Sequence, residues 1–159
     1  NDVIGKYPYR NKRERESVEL HIYSDFIFSS SFSQFSQVID NLMKNSFRAL
    51  QATDKPLQPG DLRIDVIVNG NIGFISVLDR GRGIPPDLLP RIFEPFFSTN
   101  RGTGHGLGLA FCKQVVSSAR GSIKAESRWM NGAQISIQLP ISKGTNINRS
   151  IHLENFLQA

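Results

Sequence analysis

Between Leu62 and Leu78, an alternating apolar–polar arm is followed by a tight turn and a second, mostly apolar arm, and this pattern restricts the fold more than any other feature of the chain. Leu62, Ile64, Val66 and Val68 take one side of a strand and Arg63, Asp65 and Ile67 the other; Asn69 to Gly73 reverses the chain into a second strand, Phe74 to Leu78. A hairpin with one apolar face has to be covered. Ile123 and Ala125 open another strand, Asn131-Gly132 turns it, and Ala133, Ile135, Ile137 and Leu139 alternate up to Pro140. Val18, Leu20 and Ile22 alternate earlier, followed by a short extended piece at Phe26 to Phe28.

Helices are available as the cover. From Phe32 to Ala52, the positions Phe35, Val38, Ile39, Leu42, Met43, Phe47 and Leu50 recur at helical spacing. A second helix is expected over Gly106 to Ala119, with Leu107, Ala110, Phe111 and Val115 facing inward and Gly121 as its stop signal. A short one is expected around Asp87 to Leu89. The expected fold class is therefore α/β, a two-layer sandwich whose mixed, mainly antiparallel sheet of about five strands is covered on one face by about three helices.

A chain of 159 residues supports one domain with a sizeable core. Residues 1–16, polar apart from Tyr7-Pro8-Tyr9, read as a linker or lead-in segment laid on the surface; 17–141 read as the domain itself; 142–159 read as a polar tail or linker. No apolar run approaches the roughly 18 residues that span a bilayer, and the start at Asn1 suggests a piece of something larger. The lone Cys112 lies in an apolar helical pattern, as a buried structural thiol would. Net charge is +5, but much of the basic excess sits in Arg10 to Arg15 and in scattered residues, so nucleic acid is not expected as a partner. His21, His105 and His152 lack any metal-ligand spacing.

Chemistry concentrates after the first hairpin. Asp79-Arg80-Gly81-Arg82-Gly83-Ile84 places a carboxylate at a strand end, ahead of glycines that let the backbone turn tightly beside a flat ring. The carboxylate can accept from an exocyclic amino group such as that of adenine; an ordinary turn is the bland alternative. Residues 80–105 form a long irregular connection, and such loops are usually functional. Within it, Phe93, Phe96 and Phe97 either pack inward or form the base of a hinged lid. Gly102, Gly104, Gly106 and Gly108 run into the second helix, whose N-terminus favours phosphate; the alternative is a flexible linker. On the long helix, Asn41, Asn45 and Arg48 form a polar stripe that a solvated face would also explain. Asparagine is a poor helix former, so two in mid-helix need a reason, and an amide oxygen can complete a Mg²⁺ shell. The glycines fit neither a dinucleotide-binding βαβ unit nor the Gly-Lys-Ser/Thr phosphate loop.

In order, Asn41-Leu42-Met43-Lys44-Asn45, Asp79 to Ile84, Phe93-Glu94-Pro95-Phe96-Phe97 and Gly104 to Leu109 match four boxes, called N, G1, F and G2. From about Val18 to Pro140 the chain thus resembles the catalytic and ATP-binding domain of bacterial sensor histidine kinases, a Bergerat-type fold shared with gyrase, Hsp90 and the MutL mismatch-repair proteins. The Tyr7-Pro8-Tyr9 approach is similar to that of quorum-sensing hybrid kinases. The resemblance implies ATP and Mg²⁺ as cofactors. It implies that Asn45 binds the metal, that Asn41 lies beside the phosphates and that Arg48 contacts them. Asp79 would accept from the adenine amino group, with Gly81 and Gly83 lining the base pocket and Ile84 and Phe93 also among the cofactor-binding residues. Gly104, Gly106 and Gly108 would wrap the triphosphate, with Gly102, Thr103, His105 and Leu107 also among the cofactor-binding residues.

The hydrolysing relatives carry a Glu at the place of Asn41. An amide lacks the basicity to activate water, so the resemblance implies phosphoryl transfer to a histidine instead. None of the three histidines here has the acceptor context. The expected partners are therefore a histidine-containing dimerisation domain and a downstream response regulator or receiver domain, the whole being the cytoplasmic part of an inner-membrane sensor. An anti-sigma-type serine kinase and a non-catalytic nucleotide-binding docking module are the alternatives.

Overall fold

In the computed structural model, residues 2–98, 106–143 and 149–158 are described. The Asn11 side chain accepts from the Glu14 amide at 3.0 Å and caps a short helix, α1 (Lys12–Glu16). Strands β1 (Val18–Ile22) and β2 (Ile27–Ser29) follow. Ser31 then caps the long helix α2 (Phe32–Gln51). That helix carries the chain across to β3 (Leu62–Asn69), so β1 and β3 run parallel, as a crossover connection dictates. The turn at Gly70, with φ of +61°, leads into β4 (Ile72–Asp79). After the irregular segment come α3 (Gly108–Ser118), β5 (Ser122–Ser127), β6 (Ala133–Pro140), β7 (Ser150–His152) and α4 (Leu153–Leu157).

The main sheet has five strands in the order β1-β3-β4-β6-β5, and all pairs other than β1 with β3 are antiparallel. One face buries Leu62, Ile64, Val66, Ile75, Val77, Ile137 and Leu139 against α2 and α3. From α2 come Phe35, Val38, Ile39, Leu42, Met43, Phe47 and Leu50, all buried; from α3, Cys112, Val115 and Val116. Phe35 is fully enclosed, and truncation to Ala would cost about 3–5 kcal/mol. Cys112 is a buried thiol whose pKa burial pushes up to about 12, so it stays protonated and inert.

Several local expectations shift. Helix α3 begins at Gly108, not Gly106, so Leu107 precedes the first turn and is 43% exposed, where an inward position was expected. The helix is followed by Arg120 at φ +60°; Gly121 is needed instead because a Cβ would collide with the Gln138 carbonyl of β6. The expected short helix is a 3-10 turn at Leu89–Arg91. Four α-helices occur among the described residues, where about three were expected.

The chain ends differ most. Residues 149–158, read as a polar tail, pair β7 with β2 in a separate two-stranded sheet and bury Ile151, Leu153, Phe156 and Leu157. Phe156 packs on Phe32 and Phe35 of α2. The lead-in is equally tied. Val3 and Ile4 donate to the carbonyls of Phe156 and Leu157 at 3.1 and 3.2 Å, and Tyr7 and Tyr9 stack on Phe47.

Candidate functional site

Strand β4 delivers Asp79 to the end of the sheet, beside the inner half of α2. Its carboxylate accepts from the Gly81 amide at 2.9 Å, and the Ser46 hydroxyl and Ala133 amide stand near enough to favour its charged form. Burial nevertheless dominates and raises its pKa to about 6, with these three groups opposing the rise. A carboxylate offers about four acceptor positions, so even with all three groups bound about one remains for a ligand. That remaining position suits a hydrogen-bond donor such as an amino group on a purine, and repels a carbonyl oxygen in the same place.

The following turn is tightly confined. Gly81 lies against Ala49 of α2, where a Cβ would come within 2.7 Å of the Ala49 methyl. Gly83 has φ of +74°, a region L side chains rarely adopt, and a Cβ there would be 2.6 Å from the Arg128 carbonyl. The half-buried Ile84 donates its amide to the Ser127 hydroxyl at 2.5 Å. These contacts fix a backbone track of small residues next to Asp79.

Across from that track lies the polar stripe of α2. The Asn41 Nδ2 donates to the Gly108 carbonyl at 3.3 Å, joining the stripe to the first residue of α3. Asn45, half-buried, makes no side-chain hydrogen bond among the described residues, so its amide oxygen is open to a cation. Arg48 follows one turn later. Three expected site residues thus share one helix face that meets the start of α3. Gly106, at φ +65°, is held against the F-box backbone, where a Cβ would come within 2.5 Å of the Phe96 carbonyl carbon and 2.7 Å of the Phe97 oxygen. Gly102, Thr103, Gly104 and His105 lie outside the described residues.

Comparison with known proteins gives a direct result. The family described as “Histidine kinase-, DNA gyrase B-, and HSP90-like ATPase” matches residues 31–143. The chain belongs to this family. Among its relatives, the CAI-1 autoinducer sensor kinase/phosphatase CqsS of Vibrio cholerae is 29% identical over 151 residues, covering 92% of this chain and 21% of that protein. Sporulation kinase D of Bacillus subtilis is 37% identical over 148 residues, covering 89% of this chain and 28% of the relative. The solved structure of the mycobacterial sensor histidine kinase MprB superposes with a TM-score of 0.65 at 26% identity, covering 87% of this chain and 92% of that one. The chain spans 21% and 28% of the length of these two curated relatives.

Within this kinase domain, the three phenylalanines of the F box divide. Phe93 and Phe97 are half-buried, the latter under the Arg91 guanidinium 4.9 Å from its ring centre, while Phe96 is 78% exposed at φ +64°. A bulky residue that is both strained and exposed is characteristic of functional segments. Ser46 and the Ala133 amide, which complete the grip on Asp79, carry no motif of their own. The placement of Ser46 one residue after Asn45, on the side of α2 turned to the sheet, was the available signal. Among the described residues, no helix is long and apolar enough to cross a membrane and no group of three His, Cys, Asp or Glu forms a metal cluster.

Proposed function

We propose that this domain binds Mg-ATP between Asp79 and the start of α3 and donates the γ-phosphoryl group to a histidine on a separate dimerisation domain. The observation that carries the reading is the pairing of two chemistries in one cleft. At one end a buried carboxylate keeps about one acceptor position open. At the other an amide, Asn41, bonds to the Gly108 carbonyl, and an amide lacks the basicity to activate water.

Asp79 selects the base by accepting from the adenine amino group, and Gly81 and Gly83 bring backbone alongside the ring without side-chain obstruction. Ile84 and Phe93 supply apolar surface to it. Arg48 brings positive charge to the phosphate end, and Gly106, Leu107 and Gly108 place backbone amides there with the N-terminus of α3. Gly102, Thr103, Gly104 and His105 belong by sequence to the same wrap. The open amide of Asn45 suits a hard, oxygen-seeking cation. Asn45 would hold a Mg²⁺ ion there, which would supply positive charge to the phosphates. With no general base among these residues, the work is positioning. The bond from phosphorus to the bridging oxygen of ADP breaks as a bond to an imidazole nitrogen of the acceptor forms.

The relatives being multidomain sensor kinases supports a histidine-containing dimerisation domain and a response regulator or receiver domain as partners, and a place on the cytoplasmic side of an inner-membrane sensor. Residues 17–141 form the catalytic unit in this reading, with residues 2–16 and 149–158 bound against it. The decisive experiment mixes the domain with its own upstream helical domain and γ-labelled ATP. Acid-labile, base-stable phosphate on that domain is expected, and an Asn45→Ala variant should lose most of the Mg²⁺ dependence of nucleotide binding. Acid-stable phosphate on a protein target would instead favour a serine kinase.

A further inference from the structure

We infer that Ser127, which lies outside every motif of the site, is a positioning residue that sets the base pocket. This rests on Asp79 and the Gly81–Ile84 turn forming that pocket. The Ser127 hydroxyl stands between the pocket's two parts. It accepts the Ile84 amide at 2.5 Å and donates to the Gly132 carbonyl at 3.3 Å, using its one proton and one of its lone pairs.

The glycine turn is seated on the same hairpin end. A Cβ at Gly83 would be 2.9 Å from Ser127 Oγ as well as touching the Arg128 carbonyl, and the Met130 amide donates to the Arg82 carbonyl at 2.5 Å. The carboxylate is tied there too. Gly132, at φ +100°, packs on the Asp79 carbonyl so closely that no Cβ would fit, and the next residue, Ala133, pairs with Asp79 across the strands and reaches its carboxylate through the amide. Any shift of residues 127–132 therefore moves the glycine turn and the Asp79 grip together. The Asn41, Asn45 and Arg48 stripe stands on α2, a different element, and does not depend on this hairpin end.

Removing the hydroxyl leaves the Ile84 amide without its acceptor and frees one of the ties on Gly132. The consequence is a loss confined to ligands that carry a base. The test compares wild type, Ser127→Ala and Ser127→Thr by calorimetry with Mg-ADP and by thermal shift with millimolar Mg-tripolyphosphate, which has phosphates and no base. Ser127→Ala should bind ADP about five- to tenfold more weakly, with tripolyphosphate stabilisation unchanged, and Ser127→Thr should restore ADP affinity because it keeps the hydroxyl. Unchanged ADP affinity in Ser127→Ala overturns the inference, as does an equal loss of tripolyphosphate stabilisation, which would mark a merely structural role. If Ser127→Ala does not fold, Gly83→Ala poses the same question by pressing a methyl on the Arg128 carbonyl, and it must weaken ADP while sparing tripolyphosphate. Failure of wild type to bind ADP at all would remove the nucleotide reading itself, a result distinct from normal wild-type binding with an indifferent Ser127→Ala.

Discussion

On the proposed reading, Asp79 and its glycine turn, bonded to a neighbouring hairpin, form the base end of the cleft, whereas the opposite end rests on the start of α3, which meets α2 through a 3.3 Å hydrogen bond from Asn41 to Gly108. The base end is built into the sheet and inherits its rigidity. The phosphate end is built on the connection between β4 and α3, where Phe96 is strained and Leu107 exposed. The contrast teaches that the end proposed to hold the base is the more firmly tied of the two.

The most severe way to break the base end is Asp79→Asn, which replaces the open acceptor position by an amide. Adenine-nucleotide affinity should fall about 30- to 100-fold by calorimetry, as expected for losing a hydrogen bond to a charged group. A milder route is acid. The folded pKa of Asp79, about 6, lies above its ordinary value of 3.8, so protonation closes the acceptor as pH drops through 6. Adenosine, which has no phosphate to titrate, should bind about tenfold more weakly at pH 5 than at the plateau above pH 7. The same shift has a stability sign. The folded state holds this proton more tightly than the unfolded chain, so Asp79's contribution is fully present below about pH 4 and is lost as pH rises through 6. Relative to Asp79→Asn, the wild type's melting temperature should therefore decline across that interval.

At the phosphate end, Gly106→Ala places a methyl against the Phe96 and Phe97 backbone. ATP affinity should fall about fivefold while adenosine affinity is unchanged, read by calorimetry; an equal loss for both would erase the distinction between the two ends. The smallest effect belongs to Met130, which occupies φ +70° and is 62% exposed. Met130→Gly should raise thermal stability by about 0.5–1 kcal/mol by relieving that conformation, with ADP affinity unchanged.

Much of the fold was legible because its signals are periodic. Alternation marked β3 and β6, an apolar run after the turn marked β4, and the 3.6-residue repeat marked α2 almost to the residue. The closing strand and helix at 150–157 escaped because a three-residue strand and a five-residue helix are too short to show a period, and their burial depends on partners more than a hundred residues earlier. The same division holds in the site. Asp79, Gly81 and Gly83 announce themselves by spacing, since a strained turn beside a carboxylate demands glycines. Ser127 contributes two hydrogen bonds and Ser46 and the Ala133 amide act on Asp79 singly, and no pattern of residue types encodes a single hydroxyl or a main-chain amide. Leu107 was assigned inward because the apolar period runs through it; the helix starts one residue later, at Gly108.

Val3 and Ile4 lie bonded to Phe156 and Leu157, so the two ends of the described chain are side by side. A domain with that geometry can be rewired. A short flexible splice between residues 158 and 2, with new ends opened at Gly70-Asn71 in the solvent-facing turn of β3 and β4, should give a circular permutant that keeps every core contact.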